Sequence, residues 1–219
     1  MIVRRLQGLV GAKDATGAAV IIDVFRAFTT AAYAIAAGAR EIVLVDDHEQ
    51  ALALKAADPT LFLTGEIGGR PIPGFDLGNS PSQIEGLDLA GRRVVQRTSA
   101  GTQGVVAAAG ASEIVLGSLV IAGATARYLQ GRELVSLVAT DTGRTGDSCE
   151  DEVCAAYLEG LLLDGRATDP VVRLMEHPEG WPEWFPRRDA ELACIVDRFT
   201  FALPVERENG LLVARPVFV

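Results

Sequence analysis

Between Arg92 and Gly104 the chain reads Arg-Arg-Val-Val-Gln-Arg-Thr-Ser-Ala-Gly-Thr-Gln-Gly, a set of residue types suited to holding an anion. The apolar pair Val94 and Val95 predicts a strand, and the small residues from about Gln103 to Ala109 predict a helix. Arg97 to Thr102 therefore fall in the turn between them. Backbone N–H groups at a helix start have no intrahelical partner, and the helix dipole favours negative charge there. Arg97 adds a guanidinium fork that matches phosphate, Thr98, Ser99 and Thr102 add hydroxyl donors, and Gly101 adds a backbone donor. An ordinary capped turn carries some of the same residues, so the weight comes from what other segments bring.

Asp23 follows the apolar run Ala19-Val20-Ile21-Ile22 directly. A charge at the end of a buried strand needs a partner or a metal ion, and Arg26 is close enough in sequence to pair with it or to meet an anion beside it. Glu66, next to Gly65, opens a long polar loop, and Glu150 and Asp151 stand where a helix begins, a position the dipole alone would favour. Asp141 lies in a second polar turn, residues 140–149. Oxygen-only ligands of this kind suit Mg²⁺, a hard cation that keeps waters and bridges to phosphate. His48 and His177 are the only histidines, and Cys149, Cys154 and Cys194 have no metal-binding spacing. Zinc and His-dependent nucleophile schemes are thereby disfavoured. No GxxxxGK[ST] or GxGxxG element is present, which argues against a P-loop or a dinucleotide-binding turn.

These residues need elements to position them. The continuous apolar run 19–22 reads as a strand buried on both faces. Further strands are expected at Val3–Val10, 41–45, 61–63, 113–116 and 134–139, and helices at 27–37, 49–57, 122–130 and from Glu150 to about Leu163. Asp46 and Asp47 sit where they can cap the helix of 49–57. Residues 67–82 form a long Gly- and Pro-rich loop, a type that is usually functional when it occurs inside a domain. Residues 164–190 read as short helices and connections, and 199–205 with 211–217 read as a closing β-hairpin. The alternation predicts an α/β protein: a three-layer α/β/α arrangement with a mostly parallel, mixed sheet and the C-terminal β-hairpin as an addition. It is expected as a single domain over residues 1–219, divisible if at all near residues 110–135. In such sheets ligands bind outside the carboxyl ends of the strands. That rule gathers Asp23, Arg26, Glu66, Arg97, Thr98, Ser99, Ser118, Asp141, Glu150 and Asp151 at one rim.

Composition sets the outer limits. The chain has 219 residues, enough to bury a full core, with 49% hydrophobic and 22% charged residues. A net charge of −9 argues against nucleic acid as a partner, because no basic stripe is available to replace phosphate counterions. The odd number of cysteines suits a reducing compartment, and no stretch has the length of a membrane span or the pattern of a signal peptide. A cytoplasmic protein is expected.

Ile22-Asp23-Val24-Phe25-Arg26-Ala27, Gly65-Glu66, Gly74-Phe75-Asp76-Leu77-Gly78-Asn79-Ser80-Pro81 and Arg97-Thr98-Ser99-Ala100-Gly101-Thr102 occur in that order. Together with Gly117-Ser118 and Glu150-Asp151-Glu152-Val153-Cys154-Ala155, they resemble the 2-phosphosulfolactate phosphatase family over about residues 19–160. The resemblance implies a Mg²⁺-dependent phosphomonoesterase that releases phosphate from 2-phospho-3-sulfolactate or a similar phosphorylated 2-hydroxy acid, a step toward coenzyme M, and family habit implies a homodimer. Asp23, Arg26, Glu66 and Arg97 would carry the chemistry. Asp23, Glu66, Glu150 and Asp151 would hold the metal. Asn79, Ser80, Thr98, Ser99, Gly101, Thr102 and Ser118 would bind phosphate and substrate. The chain departs from the family pattern at Ile67, Ser99-Ala100 and Val120-Ile121, where a basic residue, a Thr-Asn pair and an asparagine are common. The alternative is a non-catalytic module that senses a phosphorylated or sulfonated metabolite with the same cradle.

Overall fold

The computed structural model describes residues 1–140, 149–168, 170 and 185–219. Asp141 and His177 lie outside them, with the rest of residues 141–148, residue 169 and the rest of 171–184. Two groups of parallel strands organise the fold. The first runs in the order β1 (Ile2–Gln7), β8 (Leu134–Ala139), β2 (Ala18–Ile22), β7 (Glu113–Gly117), and the second in the order β3 (Glu41–Val45), β6 (Arg93–Arg97), β4 (Phe62–Ile67). The hairpin of β9 (Phe201–Glu208) and β10 (Leu211–Ala214) stands between them, with β9 antiparallel to β7 and β10 antiparallel to β3. The short strands β5 (Arg70–Pro71) and β11 (Val217–Phe218) pair with β4 and β9.

The α/β class and the helix-flanked sheet agree with the sequence reading, and the hairpin exists, but its place changes the geometry. It sits in the middle of the sheet because both its faces are apolar: Leu203, Leu212 and Ala214 enter the central core, and Val213 enters an outer one. Three successive antiparallel pairings separate β7 from β3, so the two parallel groups run in opposite directions along the ladder. Along the ladder the carboxyl ends of the two groups therefore point in opposite directions. The groups diverge from Val205, which pairs with Ile114 on one side and Ala214 on the other.

Strand alternation then builds three apolar clusters. Ala19 and Ile21 of β2, with Ile42 and Leu44 of β3, face a shared central core. Val20 and Ile22 face an outer layer with α6 (Ala122–Tyr128) and α7 (Glu150–Asp164), while Val43 and Val45 face the opposite outer layer. The central core is filled by α2 (Ala27–Ala36), which buries nine residues including Phe28, and by α5 (Gly101–Ala107). These two helices start directly after Arg26 and Ala100, so they carry the ends of β2 and β6 toward each other.

Local boundaries differ in informative ways. The opening strand stops at Gln7, and α1 (Gly8–Asp14) follows, entered through Gly8 at φ 61°. α5 begins two residues earlier than expected, at Gly101, and a 3₁₀ turn at Leu119–Ile121 precedes α6. The long loop is packed: besides β5 it contains α4 (Pro81–Ile84), and Asp76 accepts from the Leu63 N–H at 2.7 Å and pairs with Lys55. As expected, Asp47 caps α3 (His48–Ala57), accepting from the Glu49 N–H at 3.0 Å. The three cysteines are buried, and burial pushes all three thiols up, those of Cys149 and Cys194 to about 12. They serve as small apolar residues. Among the described residues no helix is long and apolar enough to cross a membrane.

Candidate active site

Asp23 follows β2 directly and faces the starts of α2 and α5. Its side chain is buried and accepts from the Ala27 N–H at 2.8 Å and from the Gly101 N–H. One carboxylate thus caps the starts of both α2 and α5. A Cβ on Gly101 would lie 2.7 Å from Asp23 Oδ2 and 2.8 Å from the Ala27 Cβ, so glycine is required for this approach. The peptide bond Phe25–Arg26 between β2 and α2 is cis.

Asp151, on the first turn of α7, reaches the same place from the other side. Its Oδ1 accepts from the Val24 N–H at 2.7 Å, and its Oδ2 lies 3.3 Å from Thr140 Oγ1. Burial above all, then the neighbouring charge of Asp151 and more weakly that of Glu66, pushes the Asp23 carboxyl up to about 8. Glu150 is buried beside Asp151 at the head of α7.

Glu66, at the end of β4, takes a different role. Its Oε1 accepts from the Ser99 N–H at 2.6 Å, and its Oε2 accepts from the Gly69 N–H at 2.6 Å and the Ser99 hydroxyl at 3.1 Å. The Gly68 N–H in turn donates to Ser99 Oγ at 2.9 Å. Glu66 therefore fastens the tight turn after β4 to the turn after β6. Arg97 is fixed by two backbone carbonyls, donating from Nε to Asp46 at 3.2 Å and from Nη1 to Glu66 at 2.8 Å.

Thr98 and Thr102 hold the start of α5 reciprocally. The Thr98 N–H donates to Thr102 Oγ1 at 2.9 Å, and the Thr102 N–H donates to Thr98 Oγ1 at 3.0 Å. Both side chains are buried. Both hydroxyls accept at the head of α5, and that of Thr102 also donates to the Thr98 carbonyl at 2.9 Å. Thr102→Val should cost about 1–3 kcal/mol, the penalty for stranding a buried partner, and the shift in denaturant midpoint measures it.

Arg26 does not pair with Asp23. Its Nη1 donates to Asp189 Oδ2 at 2.7 Å, and its guanidinium carbon lies 4.5 Å from the centre of the Phe185 ring. Asp189 belongs to α8 (Arg187–Ala193), and its Oδ1 accepts from the Ser80 hydroxyl at 2.8 Å and the Ser82 N–H at 3.0 Å. Asn79 lies next to Ser80 and within 3.4 Å of Gln96 Nε2, which also donates to the Ala27 carbonyl at 2.8 Å. Ser118 is fully buried, its hydroxyl 2.7 Å from that of Thr29. It packs behind α2.

The residues singled out in the sequence are thus brought together in two sets. Asp23, Asp151, Glu66, Ser99, Gly101 and Arg97 surround the facing helix starts, while Arg26, Asn79 and Ser80 lie along a second wall. Asp189, Gln96 and Thr140 also belong to this neighbourhood and had no signal in sequence, since each acts through a partner distant along the chain. Among the described residues no three His, Cys, Asp or Glu side chains form a group able to hold a metal ion. Of the four carboxylates named for that task, Glu66 is engaged by Ser99 and Gly69. Asp23 with Asp151 remains chemically suited to Mg²⁺, which takes one or two carboxylates and fills its other positions with water and phosphate oxygens. A divalent cation would also offset the burial and the Asp151 charge that hold the Asp23 carboxyl high.

Comparison with known proteins bears on this arrangement. The family model described as 2-phosphosulpholactate phosphatase matches residues 6–176. A protein of Deinococcus radiodurans named probable 2-phosphosulfolactate phosphatase is 44% identical over 149 residues, covering 66% of this chain and 61% of that protein. A Bacillus subtilis protein of the same name is 36% identical over 150 residues, covering 65% of this chain and 63% of its own length. The chain thus spans about three fifths of these relatives. A Synechococcus relative, also so named, is 31% identical over 233 aligned positions that cover 93% of this chain and 94% of that protein.

Proposed function

Because this chain belongs to the 2-phosphosulpholactate phosphatase family, we propose that it hydrolyses a small phosphorylated 2-hydroxy acid such as 2-phospho-3-sulfolactate, releasing phosphate. The observation that carries the reading is the convergence of Asp23 and Asp151 on a gap faced by two helix starts, with Asp23 pushed up to about 8. A buried pair of like charges is costly unless something positive is meant to lie against it.

Asp23 and Asp151 would hold Mg²⁺, which would supply charge neutralisation at the phosphoryl oxygens. Phosphoryl transfer to water depends mainly on positioning and on stabilising charge in the transition state. Gly101 and Ser99 set the backbone of the turn, with Glu66 as its anchor. Arg97, fixed through Nε and Nη1, directs the rest of its guanidinium charge at the anion. Asn79 and Ser80 orient the acid end of the substrate from the second wall. Apolar burial around the site excludes bulk water and strengthens each of these interactions.

Purified protein assayed against a panel of phosphorylated 2-hydroxy acids, with Mg²⁺ and with chelator, tests this. Phosphate release that disappears with chelator is the expected result. Binding of the panel without release from any member would overturn catalysis and identify a binding module.

A further inference from the structure

Asp189 is fully buried and divides its two oxygens between two groups of the second wall. Oδ2 accepts from Arg26 Nη1 at 2.7 Å, and Oδ1 accepts from the Ser80 hydroxyl at 2.8 Å and the Ser82 N–H at 3.0 Å. Arg26 follows β2 and Ser80 precedes α4, while Asp189 arrives from α8, 163 residues beyond Arg26 and outside the stretch 6–176 that the family model matches. Phe185, two residues before α8, lies under the guanidinium and meets Phe25 edge-on with ring centres 5.6 Å apart. Three parts of the chain thus meet at one carboxylate.

We infer that Asp189 is a positioning residue that aligns Arg26 and Ser80 for the phosphorylated acid. The inference rests on the phosphatase reading above. A guanidinium on a flexible stem reaches many orientations, and a carboxylate on one of its nitrogens selects one of them. The remaining guanidinium face, set against Phe185, then has a fixed direction. Through Ser80 the same carboxylate sets the adjacent Asn79, so an error at Asp189 reaches two substrate-facing groups at once.

The test uses the full chain with Asp189→Asn, Asp189→Glu and Ser80→Ala, reading kcat, KM and the Kd for inorganic phosphate beside the thermal midpoint. Asp189→Asn keeps the volume and should raise KM and the phosphate Kd by about tenfold or more, with a smaller effect on kcat. Ser80→Ala should raise KM by about three- to fivefold alone and add little in the Asp189→Asn background, because the two act as one unit. Should Asp189→Asn fail to fold, Asp189→Glu keeps the charge but displaces it, and its KM should still rise about fivefold or more. Variants that lose thermal stability while KM and Kd stay within about twofold of wild type would overturn the positioning role and leave a structural ion pair. A wild-type protein that neither binds nor releases phosphate overturns the phosphatase reading, and this inference with it. A working wild type beside unaltered variants overturns the inference alone.

Discussion

Asp23→Asn is expected to reduce metal-dependent phosphate release by about a thousandfold or more while leaving the fold intact. The amide has the same shape, and its oxygen can still accept from the Ala27 N–H. What it lacks is the charge that faces Asp151. The stability of the metal-free protein should separate the two variants by pH. The wild-type carboxyl is held at about 8, against about 4 in the unfolded chain. A raised carboxyl contributes stability that is fully present below the unfolded value and is lost as pH rises through the folded one. The wild-type thermal midpoint should therefore fall between about pH 4 and pH 8, and Asp23→Asn should lack that slope. Mg²⁺ should restore more stability to the wild type at the alkaline end, where the carboxylate is charged. Equal pH slopes in the two proteins would show that Asp23 does not experience the environment described here.

Gly65→Ala should be the most damaging change of a single methyl group. Gly65 sits opposite Arg97 in the β4–β6 ladder, and a Cβ there would meet the Arg97 carbonyl oxygen, a backbone atom that cannot step aside. β4 must move away from β6, taking Glu66 off Ser99. The expected cost is about 3 kcal/mol, which lowers the thermal midpoint by about 6–12 °C in a chain of this size. Activity should fall with it, because the same movement unfastens the turn after β6. Gly68→Asn is the control. Gly68 has a φ of 58° with open space around its Cβ position, and asparagine tolerates that conformation. It should cost less than about 1 kcal/mol. Comparable losses in the two variants would remove the steric explanation.

These cases show what sequence carries and what it does not. The buried run before Asp23, the cap at Asp47 and the strand–turn–helix at 93–107 are local patterns, set by neighbours within a few residues, and could be read directly. That Gly65-Glu66 marks a special turn was legible; that the glycine is required by the backbone of β6 was not, because the obstructing atom lies 32 positions away. Arg26 looked like a partner for Asp23 three residues before it, and instead meets Asp189, 163 residues along the chain. Hydrogen-bond partners of that separation leave no periodicity behind. The reversal of the second strand group was hidden for the same reason: strand order is a property of pairing, not of any one strand. The reciprocal threonines illustrate a subtler limit. Their residue types suggested ligand donors, and both oxygens also accept from each other's backbone N–H at the head of α5.

The central hairpin also determines when the site can exist. Residues 201–214 leave the ribosome after every strand of the two parallel groups, yet they are the only link in the sheet, among the described residues, between β7 and β3. Until they emerge, each group has an open edge where the hairpin will lie, and the nascent chain must keep both edges from pairing elsewhere. Asp23 and Asp151 come from one group and Glu66 and Arg97 from the other. Vectorial synthesis therefore delivers all of these residues early and joins their scaffolds last, so the chain should acquire its anion site in one late step.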